Sequence, residues 1–505
     1  MIPSIVPTDR LGVDRAPSSS GPRVRDRLQT SGRSVLAALA GLTPLWRDAL
    51  VYAASALFAG LTAVVGGISL YRQWGQLAFG PYVLATVVMV VVAWWAGRSS
   101  PARRWRWARI VAFLIVLFGA TVIPLTLEVV WRTQGNASQH VQPEVVVVEQ
   151  AGVRAARGKD PYRVVDRDGH VVIHETSEPV YELYYPYLPG MVLFGFSSSS
   201  ATSRTSRAVA RLTDARIQFL VFTALVTVVA LSRIRPPSDA RYRAAQVLTV
   251  LPTAALPLAT GGDDMPVAAL MLLGLVGIQR RRPVLAGLAL GAASSLKFTA
   301  WPLVVLALWA ATDRRQRRAV GRYLLGVVVV MVPVILPVAL QNLSAFDDNV
   351  IRFPLGLAGV SSPAASALPG HIFVSAFPGA HRIYVVTAGL VGCAVLIHHL
   401  WRRPPRSAAA VATLTGWVML IAILLAPATR VGYLLYPVNL FVWAWMLSRA
   451  DDPAEPAPAG RDPGDTALDP GDLVGQSASG SSNTSTEYGV MPAEVAGDTT
   501  TPTSQ

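Results

Sequence analysis

Long apolar runs separated by short arginine-rich loops dominate the chain. Runs at 49–70, 79–97, 108–130, 217–233, 244–260, 265–279, 319–340, 383–400, 408–427 and 431–448 approach the roughly 20 residues that a crossing helix needs. The stretch 283–312 is long enough for two short crossings that meet near Lys297. The pattern predicts an all-α polytopic membrane protein with about twelve transmembrane helices. Leu188–Phe196 is too short to cross and reads as a re-entrant or interfacial piece. Val145 to Ala156 reads as an amphipathic helix just after a membrane helix, and Gly158 can stop it as a C′ glycine.

The ends read differently. Residues 1–45 are rich in Ser, Pro and Arg and predict a disordered basic cytoplasmic arm. Residues 449–505 have almost no large apolar side chains, and from Asp451 onward ten acidic residues accompany the single basic residue Arg461. Such a segment cannot bury enough surface to offset chain entropy, so a disordered acidic tail is expected. Between the ends, 46–107 reads as an added transmembrane hairpin. The membrane core then spans 108–448, with a large loop at 131–216 and a second at 341–382.

Charge assigns sidedness. Short cytoplasmic loops hold Lys and Arg. Arg98–Arg109, Arg233–Arg243, Arg280–Arg282, Arg314–Arg318 and Arg402–Arg406 fall on one side if the N-terminus is inside. Both termini are then cytoplasmic. The exoplasmic side receives 131–216, Gly261–Pro266, the Lys297 turn, 341–382 and Thr429–Arg430. Composition agrees with a membrane chain: 52% of residues are hydrophobic and 15% charged, against about 25% charged in soluble domains. One cysteine, Cys393, excludes a disulfide scaffold. The net charge of +14 lies between apolar runs rather than in a soluble basic domain, which argues against a nucleic-acid binder.

Most of the unusual polar residues therefore converge on one face. Glu144 and Glu149 lie on the amphipathic helix, where a carboxylate can meet a lipid-linked substrate at a membrane surface. Asp160-Pro161-Tyr162 opens an extended segment, because a residue before proline avoids the α region. Tyr184, Tyr185 and Tyr187 suit either an aromatic belt or the wall of a sugar-binding groove. Asp263 and Asp264 occupy a tight turn; Asp264 can cap the following helix, and the pair can also serve substrate or metal. Lys297 is an ionisable group in an apolar span, a functional candidate unless it snorkels to an interface. Arg430, followed by Tyr433 and Tyr436, offers a planar donor fork to phosphate or a counter-charge to the aspartates. No phosphate-loop or zinc-helix pattern occurs, and the histidines form no ligand cluster. Asn136-Ala-Ser138 matches a glycosylation acceptor.

Three stretches together resemble the GT-C superfamily of membrane glycosyltransferases, above all the polyprenyl-phosphate-mannose-dependent α-mannosyltransferases of glycosyltransferase family 87. They are the acidic helix with Gly158-Lys-Asp160-Pro161-Tyr162 and Tyr184-Tyr185-Pro186-Tyr187-Leu188-Pro189; then Leu296-Lys297-Phe298-Thr299-Ala300-Trp301-Pro302; then Arg430 with Tyr433 and Tyr436. The resemblance covers roughly 108–448. It implies transfer of a sugar, mannose first, from a polyprenyl phosphate to a cell-envelope glycan or glycolipid on the exoplasmic face. Glu149 is the first candidate for the base and Glu144 the second, with Lys297 and Arg430 on the phosphate. No cofactor is implied beyond the lipid-linked donor, and the partners are that donor, the acceptor and the bilayer. The competing readings are a flippase for a lipid-linked glycan and a non-catalytic envelope-assembly scaffold.

Overall fold

A computed structural model describes residues 41–97, 105–135, 139–163, 166, 172, 179–200, 207–234, 238–311, 317–360 and 364–451. The arm before residue 41, the tail beyond 451 and the Asn136-Ala-Ser138 acceptor lie outside the described residues. The described residues are helical, without a β-strand; a lone parallel bridge joins Ala365 to Thr429.

Among the described residues, eight helices are long and apolar enough to cross a membrane, the pattern of a polytopic membrane protein. They are α1 (Pro44–Val65), α2 (Ser69–Ala96), α3 (Arg106–Arg132), α5 (Ala215–Ser232), α11 (Arg318–Gln341), α13 (Pro378–Arg402), α14 (Ala408–Leu425) and α15 (Val431–Ala450). Between them lie α4 (Pro143–Ala156), α6 (Ser238–Thr249), α7 (Pro252–Thr260), α8 (Asp264–Gln279), α9 (Pro283–Leu296), α10 (Trp301–Ala311) and α12 (Pro369–Ala376). Leu57, Val64, Leu225, Val329 and Leu390 are exposed on the long helices, as lipid-facing side chains would be.

The expected count of about twelve crossings differs from these eight because several apolar runs fold as shorter pieces. The run 244–260 breaks before Pro252, which cannot extend a helical hydrogen-bond ladder. The carbonyls freed at the break find side-chain donors: Tyr82 Oη donates to Val250 O (2.6 Å) and Thr121 Oγ1 to Thr249 O (3.2 Å). In α3, Pro124 has no N–H for Ala120 O, and the Trp74 indole donates to that carbonyl instead (2.8 Å). Unsatisfied backbone groups cannot be left in an apolar medium, so irregular helix persists where protein donors reach it. Tyr82→Phe should therefore cost about 1–3 kcal/mol of stability, read as a lower unfolding temperature in detergent with unchanged ligand affinity.

Helix α1 is tied to the rest by charge. Helix α1 begins at Pro44, inside the segment expected to be a disordered arm. Its Asp48, fully buried, accepts from Arg109 Nε (2.5 Å) and pairs with Arg243 Nη1 (2.7 Å). Arg109 also reaches Asp239 (2.7 Å).

The 131–216 loop contains the element that positions the site. Pro143 opens α4, where a missing N–H costs nothing, and Glu144 follows in the first turn, where a carboxylate meets the positive helix end. Gly158 ends the helix as expected. It takes φ +68°, its N–H donates to Ala155 O (2.9 Å), and Lys159 N–H returns to Arg154 O (3.0 Å). The piece expected to be re-entrant or interfacial forms a 3-10 helix, Pro189–Ser200, whose first residues bury against α4 although Leu193 stays exposed. Gly152 and Gly195 make that contact possible. A Cβ on Gly152 would fall 2.2 Å from the Gly195 backbone.

Candidate active site

A cavity of about 240 Å³ is lined by residues from α4, the tyrosine segment, the α9–α10 break and the loop before α15. Its polar groups are Glu144, Tyr187, Lys297, Thr299, Arg430 and Tyr433, with Tyr181, Tyr184 and Phe353 forming an aromatic wall. The Tyr184 and Phe353 rings stack at 4.5 Å and 11°.

Two charge groups meet there. Arg430 Nη1 donates to Glu144 Oε1, joining residues 286 positions apart. Burial alone would lower the Arg430 pKa; Glu144 together with Tyr433, Tyr71 and Tyr187 outweighs it and holds the guanidinium above its ordinary value. Glu144 Oε2 is buried and has no hydrogen-bond partner among the described residues. Beside them, Lys297 Nζ donates to Asp263 Oδ1 (2.8 Å) and Asp264 Oδ1 (2.5 Å). Tyr436 Oη donates to the same Asp264 oxygen (2.6 Å) and accepts from Thr299 Oγ1 (2.7 Å). The Lys297 ammonium also lies 5.1 Å from the Tyr187 ring centre and 5.7 Å from that of Tyr433, within cation–π range.

Local backbone explains the lysine. Lys297 is extended (φ −152°, ψ 145°), so α9 stops there, and Trp301-Pro302 restarts a helix after a 3-10 turn. Leu188 N–H donates to Leu296 O (3.1 Å), which pins the tyrosine segment against the break and sets Tyr187 over the ammonium. The aspartates follow from α8: Asp263 is its N-terminal flanking residue but makes no capping bond, and Asp264 spends its Oδ1 on Lys297 and Tyr436. The capping role expected for Asp264 is thus replaced by an ion pair. Burial pushes the Asp263 carboxyl up, against the lowering effect of Lys297.

The model of glycosyltransferase family 87 matches residues 204–427. That family indicates a glycosyltransferase. No match to this chain was found among curated proteins or solved structures. The segment that matches the family model contributes Asp263, Asp264 and Lys297; Glu144 and Arg430 lie on either side of it and are brought in by the fold.

Other residues singled out in the sequence lie around the cavity rather than on its wall. Asp160 Oδ1 accepts from Tyr162 N–H (2.9 Å), Arg154 holds the carbonyls of both residues, and Tyr162 Oη donates to Tyr187 O (2.9 Å). Asp160 and Tyr162 thereby fix the position of Tyr187. Tyr185 is buried, with its N–H on Asn349 Oδ1 (2.8 Å). Tyr436 sits behind the aspartates.

Glu149 is held elsewhere. Both its oxygens accept from Arg132 (3.0 and 2.7 Å), and Ala215 N–H adds a third bond (3.1 Å). Arg132 also reaches Asp214 (2.7 Å), which accepts two bonds from the Arg216 guanidinium (both 2.8 Å) and one from its backbone N–H (3.1 Å). Burial raises the Asp214 pKa, but the two arginines prevail and hold it at about 2. This contribution to stability is complete above the ordinary Asp value of about 4 and is lost as pH falls toward 2. Glu149→Gln should cost roughly 2 kcal/mol of stability while sugar transfer persists. Unfolding temperature and transfer rate on the same preparation check both.

Sequence reasoning missed Arg132, Asp214, Arg216 and Gln142. Gln142 Nε2 donates to Tyr71 Oη (2.8 Å) and Thr260 Oγ1 (2.9 Å), tying the start of α4 to α2 and α7.

Proposed function

We propose that the protein transfers a sugar from a polyprenyl phosphate to a hydroxyl of a cell-envelope glycan or glycolipid at the exoplasmic face. Mannose is the sugar that the sequence resemblance implies. The observation that carries this reading is the meeting of Glu144 and Arg430 in one cavity beside Lys297. A carboxylate and a guanidinium on one wall are what such a transfer needs: a base for the acceptor proton and fixed positive charge for the departing phosphate.

In this scheme the acceptor hydroxyl attacks the anomeric carbon and Glu144 takes its proton. The bond from that carbon to the phosphate oxygen breaks on the opposite side, which inverts configuration. The electron pair leaves on polyprenyl phosphate, whose new charge is met by Arg430 and by Lys297 at the cavity wall. Tyr181, Tyr184 and Phe353 offer apolar ring faces to a sugar. Both expected base candidates lie on α4, but Glu149 is occupied by Arg132 while Glu144 opens on the cavity. Glu144 is therefore the proposed base.

The test uses purified protein in lipid bilayers, a glycolipid acceptor extract, and label supplied either as polyprenyl-phosphate mannose or as nucleotide mannose. Transfer from the lipid donor alone is expected. No transfer from any polyprenyl-linked sugar, together with movement of lipid-linked glycan across the same bilayers, would replace this reading with a flippase.

A further inference from the structure

We propose that the donor phosphate draws Arg430 away from Glu144, so that the base is freed in a loaded site. The inference rests on the lipid-phosphate reading above.

Three observations lead to it. First, the two cavity cations are unequally placed. The Lys297 side chain is 10% exposed and already serves two carboxylates, whereas the Arg430 side chain is 28% exposed and its ionic partner among the described residues is Glu144. An arriving phosphate therefore finds Arg430 the more available donor. Second, the resting pair is arranged for exchange. One Glu144 oxygen accepts from Arg430, while the other is buried without a hydrogen-bond partner among the described residues. Third, both side chains line the cavity, so a ligand there reaches the pair directly.

The charge balance gives the exchange a direction. Glu144, Asp263 and Asp264 face Lys297 and Arg430, leaving one excess negative charge when all are ionised. A phosphate entering this setting needs a donor fork of its own, and a guanidinium fits phosphate as it fits a carboxylate. When Arg430 turns to the phosphate, the Glu144 carboxylate loses its counter-ion and becomes a better acceptor for the hydroxyl proton. Donor binding and base activation are then one event. The free enzyme keeps its base masked by Arg430, which limits wasteful activation of water before the donor arrives. Arg430 acts on the base as a positioning residue and on the phosphate directly.

Binding of polyprenyl phosphate, which carries no sugar and cannot turn over, isolates the exchange. Its affinity for protein in bilayers is measured for wild type, Glu144→Gln, Arg430→Gln, Arg430→Lys and the Glu144→Gln/Arg430→Gln double variant, each checked for wild-type unfolding temperature. Glu144→Gln should bind about tenfold tighter, because Arg430 no longer has to leave a carboxylate. Arg430→Gln should bind about tenfold weaker, and Arg430→Lys should recover part of the loss. The decisive value is the double variant, which should match Arg430→Gln, since Glu144 acts through the arginine. Equal tightening by Glu144→Gln in both backgrounds would show plain charge repulsion and overturn the exchange. Unchanged affinity in Glu144→Gln would overturn it too. Either result leaves the proposed transfer standing if wild type still moves labelled sugar; absence of that transfer would instead remove the reading on which the exchange rests.

Discussion

Replacing Glu144 by Gln is expected to remove sugar transfer while the protein stays folded. The side chain keeps its size and its place in the first turn of α4 but can no longer take a proton. General-base catalysis contributes about 10²–10⁴-fold to such rates, so the variant should fall by at least the lower figure. Its fold should survive because the ion pair it breaks is partly open to the cavity, and Arg430 can turn to solvent there. Weak binding would show as a raised KM. Loss of the base predicts a fall in kcat that saturating donor does not restore.

Lys297→Met is expected to damage both stability and catalysis. The ammonium is the shared partner of Asp263 and Asp264, and removing it leaves two buried carboxylates side by side. Removing one partner of a buried ion pair costs about 3–5 kcal/mol. Transfer should fall roughly 100-fold, the scale for one lost donor to developing charge. The two effects separate in the Lys297→Met/Asp263→Asn/Asp264→Asn variant. Neutral amides no longer need a cation, so most of the stability should return, whereas transfer should stay low. Recovery of transfer in the triple variant would mean that Lys297 serves the aspartates alone.

Much of the architecture was legible because a bilayer imposes a simple length rule. The long runs that became α1, α2, α3, α5, α11, α13, α14 and α15 were visible as apolar segments. The stop at Gly158 was visible because a left-handed residue after a helix favours glycine. The broken segments were not. Whether 244–260 continues or splits at Pro252 depends on Tyr82 and Thr121 reaching the freed carbonyls from other helices. No periodicity within the segment carries that information.

The site shows the same limit. The cluster of Lys297, Asp263, Asp264, Arg430, Tyr433 and Tyr436 was suggested by polar residues falling at one end of apolar runs, and the fold brings them together. The choice between the two glutamates was beyond the sequence. Five residues apart on a helix, Glu144 and Glu149 point about 140° from each other. One faces the cavity and the other meets Arg132, but the packing of α4 against its neighbours decides which. Arg132 pairs with Glu149 across 17 residues and with Asp214 across 82, separations that no local motif encodes.

A single-turnover assay in bilayers, with labelled polyprenyl-phosphate sugar and excess acceptor, tests the central claim most directly. Wild type, Glu144→Gln and Glu149→Gln are compared at saturating donor. Product is expected from wild type and from Glu149→Gln at comparable rates, and from Glu144→Gln at least about 100-fold more slowly. Product from Glu144→Gln at the wild-type rate would contradict the claim.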